Sequence, residues 1–185
     1  MQSSIPMMAL LVLFGIQEAV CRWEQQEREK CSELVQLAFP DAKQIAWAQL
    51  PISQNDIESV REECQQTWLR DTMNLLVAKS SAGIDGYAVV DDVRGKDQLI
   101  TYLVVVSTNL VVKSVEIISY RESFGGEIRN HQWREQFDGK TPDDKLSMPG
   151  EIRNITGATI SARAITAGVR KILCTLRLIR ERLPR

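Results

Sequence analysis

Metal ligands are scarce in this sequence, which has one histidine, His131, and four cysteines, Cys21, Cys31, Cys64 and Cys174, none of them in a CxxC pair. A Cys/His zinc site or a CxxCH haem attachment therefore lacks a ligand set, and no metal site is expected. Excess positive charge is missing too. With 23 Lys+Arg against 24 Asp+Glu the formal net charge is -1, so no global basic field exists to bind nucleic acid, and no such partner is expected. Long apolar runs are also absent: residues 5–16 are nearly unbroken apolar, yet a bilayer core needs about twenty residues. No internal repeat, low-complexity tract or constellation of catalytic acid, base and nucleophile stands out, so no catalytic residue is assigned.

What is present is a chain of 185 residues, 44% hydrophobic and 25% charged, which is room for one ordinary domain and a targeting segment. The run at 5–16 has the length of a signal-peptide core, although residues 1–4 carry no Lys or Arg. Residues 1–21 are read as a signal peptide or membrane anchor, which makes the protein extracytoplasmic, either periplasmic or membrane-associated. An oxidising compartment would let Cys31 and Cys64 pair. Cys174, on an apolar helical face, reads as a small buried hydrophobe.

Residues 22–38 form a polar, amphipathic helical lead-in stopped by Pro40, and 39–185 form the main domain. Residues 43–50 alternate like a short strand, and 53–68 start like a helix, with Ser53 or Asn55 as caps. From Asn74 the strings NLLVAKSS, DGYAVVDD, LITYLVVVS and LVVKSVEIISY predict four successive antiparallel strands over 74–119. Turns are expected at Asp85-Gly86, Arg94-Gly95-Lys96 and Thr108-Asn109. Strict alternation in the last strand puts Val111, Lys113, Val115 and Ile117 on one face and Val112, Ser114, Glu116 and Ile118 on the other, both partly covered. An irregular stretch follows, broken by a helical turn at 131–137 in which Trp133 and Phe137 stand at i and i+4 and anchor the loop. His131 reads as an exposed helix-start residue. From about 158 to 182 a long helix is expected, with Ile160, Ile165, Val169, Ile172, Leu173, Leu176 and Ile179 as its apolar stripe. The fold class is α+β, an antiparallel sheet packed against helices. Arg163, Arg170, Lys171, Arg177, Arg180, Arg182 and Arg185 suit the negative end of that helix, or else a membrane surface or acidic partner.

The informative string is residues 154–161, NITGATIS, where the irregular stretch enters the long helix. A helix's first turn has unpaired N–H groups and the positive end of the macrodipole, which suit a phosphate. Thr156, Gly157 and Ala158 are small enough to admit it, and Thr159 and Ser161 supply hydroxyls. Alone, T-G-A-T also reads as an ordinary helix cap. The string resembles, however, the S/T-G-A-T-x-S/T motif of the FMN-binding domain in peripheral flavin subunits of the sodium-pumping NADH:quinone reductase and the Rnf electron-transport complex. Residues 120–128, YRESFGGEI, are similar to that family's E-T/S-x-G loop after a sheet that begins Gly-Tyr, here Gly86-Tyr87, and 136–140, QFDGK, to its Q-F-x-G-K segment. The likeness runs from about Phe39 to Leu178.

The resemblance implies FMN as cofactor, joined by a phosphoester to Thr159. It also implies a flavin transferase that makes the bond from FAD outside the cytoplasm, and membrane or periplasmic electron donors and acceptors. It adds Glu122, Ser123, Gly125 and Lys140 to Thr156, Gly157, Ala158, Thr159 and Ser161 as cofactor-binding candidates. The implied function is an extracytoplasmic electron carrier rather than a stand-alone enzyme. The alternative is a non-flavinylated binding or assembly module of a membrane redox complex. One departure bears on the choice: six positions before the acceptor, where the family commonly has Asp, stands Arg153, with Glu151 two residues earlier.

Overall fold

The computed structural model describes residues 25–185. The signal or anchor segment expected at 1–21, with Cys21, lies outside the described residues. Helix α1 (Gln25–Ala38) stops before Pro40, whose ring disfavours helix in the residue ahead of it. Strand β1 (Gln44–Pro51) leads to α2 (Gln54–Cys64), capped by Ser53 in a reciprocal box with Asp56. Strands β2 (Thr72–Ser80), β3 (Gly83–Arg94), β4 (Leu99–Ser107) and β5 (Val112–Tyr120) follow. The sheet is antiparallel with order β1-β2-β3-β4-β5, each strand paired with its neighbours in sequence. The expected α+β class holds, and the strand expected at 43–50 is an edge of this same sheet.

Two local expectations fail, both through β-bulges. Asp85-Gly86 is not a turn: the chain reverses between Ser80 and Gly83, and a register shift at Ala78/Lys79 leaves Asp85 unpaired within β3. Gly86 instead serves close approach, because a Cβ there would sit 2.3 Å from Phe39 Cζ and 2.4 Å from the Val106 carbonyl oxygen. In β5, Val106 pairs with Val112 but Val105 with Ser114, and Tyr102 pairs with Ile117 but Thr101 with Ser119. Lys113 and Ile118 are the extra residues. The first bulge resets the alternation, so Val112 joins Val115, Ile117 and Tyr120 in one core cluster, while Lys113 turns to the other face with its ammonium 4.8 Å from the Phe39 ring.

Apolar side chains cover both faces of the sheet. On one, Met73, Leu75, Val89, Tyr102 and Val104 pack with α2 and with α4 (Thr159–Leu178). On the other, Leu76, Ala78, Ala88, Leu103 and Val105 pack under α1 through Cys31, Val35 and Phe39. Cys31 and Cys64 therefore belong to opposite faces, and both are free thiols. The disulfide between them is excluded by the thickness of the sheet. Cys174 is buried as expected.

Helix α4 is shorter than expected, ending at Leu178 before a 3-10 turn at Arg180–Arg182. Its stripe holds except at Ile160, which is 52% exposed. Several of its cations fasten the fold: Lys171 Nζ lies 2.8 Å from Asp91, Arg177 pairs with Glu63 and Asp143, and Arg182 of the following turn lies 2.7 Å from Asp56. Among the described residues no helix is long and apolar enough to cross a membrane. Between β5 and α4 run a 3-10 turn (Gly126–Arg129), α3 (His131–Arg134) and another 3-10 turn (Glu135–Phe137). Trp133 and Phe137 anchor this segment edge to face, with ring centroids 5.3 Å apart, and His131 is exposed.

Candidate functional site

Thr159 is the first residue of α4, and the helix opens without a side-chain cap. The N-cap is Ala158, which has no acceptor to offer, and no acidic residue stands in the first turn. Helix α2, by contrast, has both devices in Ser53 and Asp56. The first N–H groups of α4 and the positive end of its dipole are thus left for an anion. Gly157, at φ +88°, makes the reversal that delivers the chain to this end. The Thr159 hydroxyl is half-buried and accepts from Asn154 Nδ2 at 2.9 Å.

A cavity of about 240 Å³ opens here, bounded by the turn between β3 and β4, the chain after β5 and the start of α4. Glu122 builds the first wall. Its carboxylate accepts from the Asp97 amide at 2.9 Å and the Gln98 amide at 3.2 Å, holding Lys96 and Asp97 at the rim. The Asp97 amide, ahead of the other contacts, keeps the Glu122 carboxyl below its usual range. Tyr120 builds the second wall: its hydroxyl donates to the Phe124 carbonyl at 2.6 Å and lies 3.2 Å from Ser161 Oγ. Gly125 is required beside it, being at φ +85° with a Cβ position only 2.6 Å from that hydroxyl. Phe124, 82% exposed, and Ile160 give the rim an apolar lip.

The cavity gathers Glu122, Gly125, Gly157, Ala158, Thr159 and Ser161 from the expected set. Thr156 and Ser123 are exposed outside its lining, and Lys140 lies with Asp144 at 3.3 Å and Glu151 at 3.6 Å. Arg153 is turned onto Gln136, whose side-chain oxygen accepts from its amide at 2.8 Å and its Nε at 3.3 Å, while its carbonyl accepts from Trp133 Nε1 at 2.7 Å. Lys96, Asp97, Phe124, Ile160 and Asn154 were not among the cofactor-binding candidates read from sequence. The Arg94-Gly95-Lys96 turn signal pointed near the first two. A larger groove of about 660 Å³ runs beside Trp68 and α4, but most of its charges are matched internally, with Asp91 accepting from both Lys171 and Tyr102 and Arg70 paired with Asp92.

Residues 95–174 match the FMN-binding domain family. The chain is 28% identical over 127 residues to a component of the Na(+)-translocating ferredoxin:NAD(+) oxidoreductase complex of Acetobacterium woodii, covering 62% of this chain and 60% of that relative. It thus spans about three fifths of that protein's length. The crystal structure of Shewanella oneidensis NqrC shares the fold, with a TM-score of 0.61 at 12% identity over 86% of this chain and 98% of that one. The chemistry of the residues around the cavity suits FMN. The uncapped turn and Lys96 suit its phosphate, and Phe124 and Ile160 offer apolar surface to its ring.

Proposed function

We propose, on the premise that this chain carries an FMN-binding domain over residues 95–174, that it is an electron carrier working outside the cytoplasm, with FMN joined covalently through Thr159. The observation that carries this reading is the Thr159 hydroxyl at the uncapped start of α4, beside a cavity rimmed by Lys96 and Asp97 and by the apolar Phe124 and Ile160. Bound FMN supplies one- and two-electron redox chemistry; the chain's residues hold, orient and expose it. The first-turn amides would hold its phosphate. Asn154 keeps the Thr159 oxygen oriented; a phosphoester made there from FAD would take the place of the hydroxyl proton and release AMP. The Tyr120–Ser161 and Glu122–Asp97 contacts keep the walls from closing. The partners are a flavin transferase and membrane or periplasmic donors and acceptors, and residues 1–21 are the export or anchoring device.

The test is co-expression with a flavin transferase, read by intact mass and by in-gel fluorescence after denaturation. One FMN per chain surviving denaturation is expected. Thr159→Val should abolish it while keeping the fold, since the side chains are nearly the same size and the lost hydroxyl bond is worth about 1 kcal/mol. Flavin released entirely on denaturation would mean reversible binding. A colourless wild type would favour the binding or assembly module.

A further inference from the structure

Two of the described cysteines sit together in the core, away from the flavin site. Cys64 is the last residue of α2, and Cys174 lies on the buried face of α4. They are 2% and 3% exposed, and both are free thiols. Both line one cavity of about 210 Å³, walled otherwise by Arg170, Arg177 and the segment 142–146. The helices are held in register at this point, because Arg177 pairs with Glu63 and the Arg170 guanidinium donates to the Glu63 carbonyl at 3.4 Å. Both cysteines belong to one core cluster, and the Cys64 thiol donates to the Val60 carbonyl at 3.1 Å.

The pair is chemically unequal. The neighbouring Cys174 first, then the Gln66 backbone, Arg170 and Lys171, favour the Cys64 thiolate against the opposing effect of burial. The neighbouring Cys64, and then burial, push the Cys174 thiol up. Cys31, alone on the opposite face of the sheet, is pushed up to about 12 by burial.

We propose that Cys64 and Cys174 are a disulfide-forming pair that staples α2 to α4, with Cys64 the attacking and Cys174 the resolving thiol. The oxidant is a disulfide, either a small molecule or a thiol-disulfide oxidoreductase. The Cys64 thiolate attacks one of its sulfurs, the oxidant's S–S bond breaks, and one thiolate leaves. Cys174 then gives its proton to solvent and attacks the Cys64 sulfur, forming the internal bond and expelling the second thiolate. Two electrons pass to the oxidant, and the two protons lost by the cysteines match those its thiols take up. The 210 Å³ cavity provides the approach to both sulfurs.

The test uses the full-length wild-type chain incubated with oxidised glutathione under native conditions, alkylated, and digested without reduction. A linked pair of peptides carrying Cys64 and Cys174 is expected, two hydrogens lighter than the separate peptides and split by dithiothreitol. Oxidation should also raise the urea midpoint of the wild type and of Cys31→Ser, and leave that of Cys64→Ser or Cys174→Ser unmoved. Full alkylation of both cysteines after oxidation would overturn the proposal. So would a link to Cys31, or glutathione retained on Cys64. The peptide map needs no variant, so a serine substitution that fails to fold does not blunt it.

Discussion

The Thr159 oxygen is held by Asn154, five residues earlier and beyond the reversal at Gly157. That contact was not legible in the sequence, because it exists only once Gly157 turns the chain back. The motif itself was legible, since small residues before a long apolar period mark a helix start by chemistry alone. Arg153 is the residue where motif and chain disagree. Its guanidinium rests on Gln136, and its backbone amide and carbonyl hold the loop without the side chain. Arg153→Asp should therefore leave the fold intact and, by restoring an acid ahead of the acceptor, raise the rate of flavin incorporation followed by in-gel fluorescence. Lower FMN retention would instead mark Arg153 as a partner of the phosphate. Identical time courses for wild type, Arg153→Asp and Glu151→Gln would show that neither residue is read by the transferase.

Helix α4 meets the sheet through Gly168, where an added Cβ would lie 2.3 Å from the Tyr102 hydroxyl and 2.8 Å from Val93 Cγ1. Tyr102 cannot step aside: it is fully buried, and its hydroxyl donates to Asp91, itself held by Lys171. Alanine gains about 1 kcal/mol in helix propensity, but overpacking typically costs about 1–3 kcal/mol. Gly168→Ala is thus expected to lower stability in urea denaturation, and a rise would show that the helix can lift. The turn between β3 and β4 yields a pH prediction. Because the folded Glu122 pKa is lowered by the Asp97 amide, the clamp is present above the ordinary carboxylate pKa of about 4.3 and is lost as pH falls through the lower folded value. The Asp97 and Gln98 amide proton shifts should titrate with that depressed midpoint, and should not do so in Glu122→Gln. The strands themselves were legible as β-branched runs, whereas the false turn at Asp85-Gly86 and the broken alternation in β5 were not. A bulge changes the count by one residue, and composition carries no mark of it.

Over the whole molecule, the apolar character of both strand faces foretold a sheet covered twice, but not which helix covers which face. Cys31 and Cys64 could therefore be paired on paper across a sheet that keeps them apart. Pairing of the α4 cations was equally invisible, since Glu63, Asp91 and Asp143 come from distant parts of the chain. Helix α1 belongs to the folded unit: Val35 is fully buried, and Lys30 donates to the carbonyls of Ile117 and Ile118 at 3.3 and 3.1 Å. A chain beginning at Phe39 should then expose Leu76, Ala88, Leu103 and Val105 and self-associate. Sedimentation of that chain as a monomer would show that α1 is dispensable. The meander has one more consequence, in time rather than space. Every strand pairs with one made just before or after it, so the sheet can assemble by local contacts as the chain is delivered. Its closure under α4 joins partners as far apart as Trp68 and Thr175 and must wait until α4 has been made. The proposed acceptor, Thr159, is thus completed only once α4 has closed the sheet, and a transferase that recognises the start of α4 would label folded chains and pass over those whose sheet is still open.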